Sequence, residues 1–143
     1  MTKVYFDGGC RPNPGQMETA VVARGMLHHI ASRGPGSSEL AEWQALLDAM
    51  AVARSLGIRD LLLIGDSIGV IRQARGQAAC PSERTGAMRE AFVEQARWFD
   101  RVRVRHIKRT QNLAGIALGQ IRQGRMPGRR RVPDERGVSP GKR

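Results

Sequence analysis

The first third of the chain shows the two-residue alternation that is typical of β-strands. Residues 3–6 alternate polar and apolar side chains and predict a strand that ends before Asp7, after which the stretch GGCRPNPG predicts a wide turn. Residues 19–23 are apolar and β-branched and predict a second strand, and residues 27–31 predict a third strand after Gly25. We expect these three strands to form an antiparallel meander.

The pattern then changes to helices that alternate with strands. Ser37 or Ser38 predicts the N-cap of a helix that runs to about Leu56, because a Ser followed by an acidic residue satisfies the N–H groups of the first turn. The later elements are a buried strand from residue 60 that ends at Asp66, a short helix over 67–75, a helix over 87–99, a strand over 102–106 and a last helix that starts near Asn112. This order predicts one α/β domain over residues 1–121.

Charge narrows the classes of function. The 143 residues carry a formal net charge of +11, which favours polyanionic partners such as nucleic acid. Residues 121–143 hold eight Lys and Arg and two Asp and Glu, so +6 of this charge lies there and +5 lies in residues 1–120. Residues 122–143 lack periodicity and are rich in Gly, Pro and Arg, which predicts a basic, disordered tail. The tail either keeps the chain soluble or tethers phosphates through counterion release.

Other classes are disfavoured by the composition. The longest apolar run, residues 61–64, is far below the ~20 residues that span a bilayer, and no signal-peptide pattern follows Met1. Cys10 and Cys80 allow at most one disulfide, and no set of Cys and His has the spacing of zinc ligands. We therefore expect a cytoplasmic monomer with no membrane partner.

Three acidic residues stand where a carboxylate requires an explanation. Asp7 and Asp66 each follow a predicted buried strand, and Glu42 shares a helical face with residues that are otherwise Ala and Leu. Each Asp also has an ordinary interpretation, as a turn former at Asp7 and as an N-cap at Asp66. If the three carboxylates converge, divalent cations must neutralise them, and oxygen ligands suit Mg²⁺ or Mn²⁺. Such a site can hold two ions about 4 Å apart for phosphodiester hydrolysis.

Four segments of the chain resemble the signature blocks of type 1 ribonucleases H. They are YFDGGCRPNPG, SSELAEWQAL, LLLIGDS and RHIKRTQN, and they occur in the family's order over about residues 3–120. The resemblance implies a ribonuclease H-like α/β fold, in which a three-stranded antiparallel meander plus two further strands forms a five-stranded mixed sheet with helices on both faces. It also implies an endonuclease that hydrolyses the RNA strand of RNA/DNA hybrids with Mg²⁺ or Mn²⁺, leaving a 3′-hydroxyl and a 5′-phosphate.

The resemblance implies roles for residues within these segments. Asp7, Glu42 and Asp66 match three of the family's four metal ligands and are expected to be catalytic. Asn13 matches a residue that contacts the hybrid in the minor groove, and Ser37 matches a Thr or Ser that helps to hold a DNA phosphate. The residues expected to bind substrate are Gly8, Asn13, Ser37 and Ser38.

The last segment departs from the family pattern at the fourth ligand. The sequence NLAGIALG places Gly115 and Ile116 where the family has Ala and the ligand Asp, and an Ile side chain cannot bind a metal ion. Asn112, one helical turn before Ile116, is predicted to be catalytic and to bind metal in its place, and Glu18 on the second strand is a further predicted metal ligand. The alternatives are an N-cap role for Asn112 and a solvated strand residue for Glu18.

Two functions from different classes follow. The first is an active endonuclease on RNA/DNA hybrids that reads the 2′-hydroxyls and backbone instead of base edges. The second is a catalytically weakened or inactive ribonuclease H-like module that binds RNA/DNA hybrid or double-stranded RNA through its positive surface. Metal-dependent cleavage of a hybrid separates the two.

Overall fold

The computed structural model describes residues 1–124. The predicted tail over residues 122–143 lies outside the described residues from residue 125 onward. The strands are β1 (Thr2–Cys10), β2 (Gly15–Ala23), β3 (Met26–Ile30), β4 (Pro35–Gly36), β5 (Asp60–Gly65) and β6 (Arg101–His106). The helices are α1 (Ser38–Ser55), α2 (Ile68–Ala74), α3 (Glu83–Ala96) and α4 (Leu113–Arg122), with a 3-10 turn over Arg109–Gln111. Within residues 1–124 none of the helices is long and apolar enough to cross a membrane. Helix α4 ends one residue beyond the predicted domain boundary at residue 121.

The strands form a mixed sheet with the order β3-β2-β1-β5-β6, and the short β4 pairs with β2. Strands β1, β2 and β3 pair antiparallel as a meander, whereas β5 runs parallel to β1 and β6 runs parallel to β5. The predicted five-stranded mixed sheet, a meander continued by two strands, is therefore confirmed.

Two apolar layers hold the helices against the sheet. On one face, Val4 and Phe6 of β1 belong to a core that includes Trp43 of α1. On the other face, Tyr5 of β1 belongs to a core that includes Leu118 of α4. Successive residues of a strand point to opposite faces, so β1 contributes to both layers. The sheet is consequently buried on both sides of β1, which makes the Asp on this strand a buried acid.

Serine N-caps determine where the first three helices begin. The Leu40 N–H donates to Ser37 Oγ at 3.2 Å at the start of α1, as predicted. Ser67 caps α2, and Ser82 caps α3. Each such cap is typically worth about 0.5–2 kcal/mol. Because Ser67 is the cap of α2, the neighbouring Asp66 does not have that structural role.

Strand β1 is longer than the alternation of its first residues predicts. It continues to Cys10, so that Asp7 lies within the strand and the turn is confined to residues 11–14. A Cβ on Gly8 would overlap the carbonyl oxygen of Ala41 in α1. Gly8, which the sequence pattern assigns to a turn, is instead required for the close approach of strand and helix.

Candidate active site

Three carboxylates come together at the carboxyl end of β5. Asp7 lies on β1, Asp66 directly follows β5, and Glu42 lies near the start of α1. Since β1 and β5 are parallel neighbours with Tyr5 opposite Ile64, the two Asp residues, each two positions further along, lie side by side. One oxygen from each of the three acids lies within 4.8 Å of the other two. The structure thus brings together the three acids that the sequence singles out.

Burial and mutual repulsion raise the pKa of two of these acids. The exposed fractions of Asp7 and Glu42 are 8% and 7%. Burial, followed by repulsion from Asp66, raises the pKa of Asp7 to about 7, against a smaller lowering by nearby arginines. Burial, followed by repulsion from Asp7 and Asp66, raises the pKa of Glu42 well above its ordinary value. A cation at this point would relieve both the desolvation and the repulsion.

The donor atoms of this group suit a hard divalent cation. Asp7 Oδ1 is buried and has no hydrogen-bond partner among residues 1–124. A buried carboxylate oxygen without a partner costs several kcal/mol unless a cation accompanies it. All three side chains offer oxygen, which is the ligand atom that Mg²⁺ and Mn²⁺ prefer. The residues present therefore fit a divalent metal ion.

Asn112 is buried at the N-cap of α4 and contacts the acid group through its nitrogen. Its Oδ1 accepts the Ala114 N–H at 3.1 Å. Its Nδ2 donates to Asp66 Oδ2 at 2.8 Å and to the carbonyl oxygen of Phe6 at 3.0 Å. In this arrangement the amide oxygen is used by the helix, and the residue holds Asp66 in place instead of presenting an oxygen to an ion. The N-cap interpretation of Asn112 describes this geometry.

Glu18 has both carboxylate oxygens paired and lies outside the group of three acids. It sits on β2 opposite Gly9 of β1. Its Oε1 accepts a hydrogen bond from Arg122 Nε at 3.0 Å, and its Oε2 lies 3.1 Å from His29 Nε2. Glu18 is therefore not placed at the carboxylates, and its contacts are with basic side chains.

Helix α4 presents Gly115, and not Ile116, to the acid group. A Cβ on Gly115 would lie 3.5 Å from Asp66 Oδ2 and 3.6 Å from Asp7 Oδ2. Ile116 is 43% exposed. Because the Asn112 cap fixes the start of the helix, it also fixes this rotation. The position on α4 that faces the carboxylates carries no side chain in this protein.

The residues predicted to bind substrate lie around the start of α1. Asn13 Oδ1 accepts the Ser38 N–H at 3.1 Å, which ties the turn after β1 to the helix. Ser37 is the N-cap of α1, and the Gly8 N–H donates to Glu42 Oε1 at 3.0 Å. These hydrogen bonds connect Asn13 with Ser38 and Gly8 with Glu42.

A cavity of about 370 Å³ next to Asp7 is lined by three arginines that the sequence did not single out: Arg11, Arg109 and Arg122. Arg109 Nη2 lies 3.7 Å from Asp66 Oδ1. No periodic pattern connects these residues, which come from the turn after β1, the 3-10 turn and the end of α4. Their only signal in the sequence was the overall positive charge.

Comparisons with known proteins agree with this fold. A model of the reverse transcriptase-like family matches residues 6–120. The ribonuclease H1 of the halophilic archaeon Halobacterium salinarum superposes with a TM-score of 0.76 and 26% identity over 86% of this chain and 98% of that chain. LC11-RNase H1, solved in complex with an RNA/DNA hybrid, superposes with a TM-score of 0.70 and 23% identity over 78% of this chain and 88% of that chain. The N-terminal RNase H domain of rv2228c from Mycobacterium tuberculosis superposes with a TM-score of 0.69 and 21% identity over 79% of this chain and 91% of that chain. No curated protein matches by sequence.

The fold and the acid group define a ribonuclease H-like domain, which is the fold of a nuclease-type enzyme. Since the family model covers most of the chain, the protein belongs to the reverse transcriptase-like family, and its structural likeness is to type 1 ribonucleases H.

Proposed function

We propose that this chain binds RNA/DNA hybrids and hydrolyses the RNA strand with divalent metal ions. The observation that carries the proposal is the group of three carboxylates whose oxygens lie within 4.8 Å of one another, one of them with a buried oxygen that lacks a partner among residues 1–124. Structural likeness to ribonucleases H supports phosphodiester hydrolysis as the reaction.

The chain orients its own carboxylates for this role. Asp7, Glu42 and Asp66 are the residues that would hold the metal. When bound, divalent ions supply activation of water and stabilisation of the leaving oxygen. The Gly8 N–H fixes Glu42 at 3.0 Å, and the Asn112 amide fixes Asp66 at 2.8 Å. Such outer contacts lower the cost of assembling the site, and losing one typically costs about 10–100-fold in metal affinity or activity.

A hybrid is the substrate that the surroundings favour. The net charge of +11 attracts a polyanion. Asn13, Ser37 and Ser38 lie at the start of α1, the helix that carries Glu42, and offer hydroxyl and amide groups to a nucleic-acid backbone. LC11-RNase H1, whose fold this chain shares, was solved with an RNA/DNA hybrid. Contacts of this kind read shape and 2′-hydroxyls and give little sequence preference.

A second candidate function is a weakened module that binds hybrid or double-stranded RNA with little turnover. The observation that favours it is Gly115, which leaves the α4 side of the carboxylates without a side chain. Three carboxylates attract a divalent cation less strongly than four, so the two candidates differ in rate and metal requirement.

A cleavage assay with matched variants tests the proposal. An end-labelled RNA strand is annealed to DNA or to RNA and incubated with the protein in Mg²⁺, in Mn²⁺ or in EDTA. The parent is expected to cleave the RNA of the hybrid only with metal, and Asp7→Asn is expected to lower the rate by more than about 100-fold, since loss of an outer contact alone costs roughly 10–100-fold. Asp100→Asn is the control, because the Asp100 side chain is 70% exposed and pairs with Arg59 away from the site.

The outcomes separate the two candidates. Absence of metal-dependent cleavage by the parent, together with a gel shift of the same hybrid, would support the binding module and reject the nuclease. Equal rates for the parent and Asp7→Asn would show that any cleavage does not depend on the carboxylates.

A further inference from the structure

The arginine-lined cavity beside Asp7 has no role in the account of the carboxylates. It has a volume of about 370 Å³, and Gly115 and Gly119 of α4 form part of its wall, so no side chain from that helix turn fills it. Three guanidinium groups, from Arg11, Arg109 and Arg122, border it. The cavity therefore brings several cations together beside the three acids, and these cations do not form close ion pairs with those acids. Arg109 approaches Asp66 only to 3.7 Å.

Arg122 is held in position by contacts that leave its far end available. Its Nε donates to Glu18 Oε1 at 3.0 Å, and Glu18 is itself fixed from the other side by His29. The guanidinium lies over Gly9, where a Cβ would overlap Nη2. Among residues 1–124 the bond to Glu18 is the hydrogen bond that Arg122 makes, which leaves its two terminal nitrogens as donors. A guanidinium fork with free terminal nitrogens matches the geometry of a phosphate group.

The geometry points to a phosphate-binding subsite at Arg122, completed by Arg11 and Arg109, that holds a backbone phosphate of the nucleic-acid strand next to the carboxylates. Arg122 supplies the fixed contact, because it is 22% exposed and its position is set by Glu18 and Gly9. Arg11 and Arg109 are exposed and supply adaptable charge. The subsite deepens the proposed function and rests on it for the identity of the strand.

Asp7 also lines the cavity, and its negative charge opposes a phosphate unless a proton or a cation neutralises it. The proposed metal would remove that opposition in the active protein. Even without metal, the three arginines outnumber this single acid in the lining of the cavity. Binding to the subsite can therefore be measured in EDTA, where no cleavage interferes.

The first experiment uses inorganic phosphate as the probe. Amide resonances of Gly9 and Gly119 and the Nε–Hε resonance of Arg122 are followed by NMR during a phosphate titration of the full chain. Saturable shifts are expected in the parent and in Arg97→Gln, and they are expected to vanish in Arg122→Gln. Arg97 is a suitable control because its side chain is 76% exposed and precedes β6, at the opposite end of the sheet from the carboxylates.

The second experiment identifies the occupant as a nucleic-acid strand. The affinity for a labelled RNA/DNA hybrid is measured by fluorescence anisotropy at several salt concentrations. Loss of one phosphate contact is expected to reduce the slope of log K against log salt by about 0.9, which is about eightfold in affinity at 0.1 M salt relative to a 1 M reference. Arg122→Gln should show this change and Arg97→Gln should not. Arg122→Lys keeps the charge and should recover most of the slope, which a merely structural role would not predict.

The results distinguish the subsite from the proposed function. Phosphate shifts that are absent, or equally large in Arg122→Gln, overturn the subsite whether or not the chain cleaves hybrids. An unchanged salt slope in Arg122→Gln also overturns it, by excluding the strand as the occupant. Phosphate shifts and the slope change in a parent that cleaves nothing would support the subsite while rejecting the nuclease.

Discussion

Restoring a carboxylate on α4 is the most informative perturbation of this site. A Cβ at residue 115 would lie 3.5 Å and 3.6 Å from carboxylate oxygens of Asp66 and Asp7. The side chain of Gly115→Asp would therefore join this group of carboxylates. The motif pattern instead assigns the fourth ligand to Ile116, which is 43% exposed. The variants Gly115→Asp and Ile116→Asp therefore form a matched pair that adds the same charge at adjacent positions.

The magnitude follows from the distances. Two unit charges 4 Å apart interact by about 4 kcal/mol at an effective dielectric constant of 20. Without metal, a new carboxylate beside Asp7 and Asp66 is thus expected to destabilise the fold by several kcal/mol. Protonation of one of these acids reduces this loss. Replacing a helical Gly and placing an acid in the first turn of α4 returns only about 0.5–1.5 kcal/mol. The new carboxylate repels Asp7 and Asp66 both with and without metal. Its attraction to a divalent ion therefore appears as tighter metal binding, and we expect the affinity for the ion to rise by at least about tenfold.

Calorimetric titration with Mn²⁺ and thermal unfolding in EDTA and in Mn²⁺ measure both effects. Gly115→Asp is expected to lower Tm in EDTA, to show a larger rise in Tm than the parent when Mn²⁺ is added, and to tighten Mn²⁺ binding, with faster hybrid cleavage. Ile116→Asp is expected to change each quantity only slightly. Tighter metal binding by Ile116→Asp than by Gly115→Asp would refute the assignment of residue 115 and the rotation of α4 on which it depends.

Three further predictions concern the apo protein and the residues that support the acids. The pKa of Asp7 is about 7 in the folded protein, against an ordinary value of 3.8 in an unfolded chain. The protonated acid therefore stabilises the fold fully below about pH 4, and this stabilisation is lost as pH rises through 7. At about 1.4 kcal/mol per pKa unit, urea unfolding in EDTA should show a loss of roughly 4 kcal/mol between pH 4 and 8. Stability that rises over this range would contradict the shift. Asn112→Ala removes the α4 cap and two bonds to buried acceptors, and should cost about 2–4 kcal/mol by denaturant titration. A loss below about 0.5 kcal/mol, the lower end of what a cap alone contributes, would exclude that network. Gly8→Ala places a Cβ against the Ala41 carbonyl and should lower the free energy of unfolding by about 1–3 kcal/mol. It should also weaken Mn²⁺ binding, because the Gly8 N–H holds Glu42. An unchanged Tm and an unchanged affinity for Mn²⁺ would argue against the close approach of strand and helix.

Elements whose signals are local were predictable from the sequence. The Ser37 cap and the acidic first turn located α1, and the apolar run before Asp66 located β5. Three acids at expected strand and helix positions also gave the group that the structure brings together. The cap and the strand were predictable because their signals lie within a few residues, whereas the meeting of the three acids was expected from the resemblance to ribonucleases H.

Features that depend on distant contacts were not predictable. Gly8 and Gly9 carry a turn composition, yet β1 continues through them because α1 and Arg122 approach too closely for a side chain. The rotation of α4 depends on bonds from Asn112 to Phe6 and Asp66, and a motif alignment contains none of this information. The ion pair between Glu18 and Arg122 joins residues 104 positions apart, which leaves no local pattern.

The central claim is that Asp7, Glu42 and Asp66 share a bound divalent cation. Anomalous diffraction from crystals soaked in Mn²⁺ tests it most directly. We predict a peak at about 2.1 Å from oxygens of these carboxylates, and its loss in crystals of Asp66→Asn. Mn²⁺ density elsewhere on the molecule, with the three carboxylates bare at saturating ion, would contradict the account.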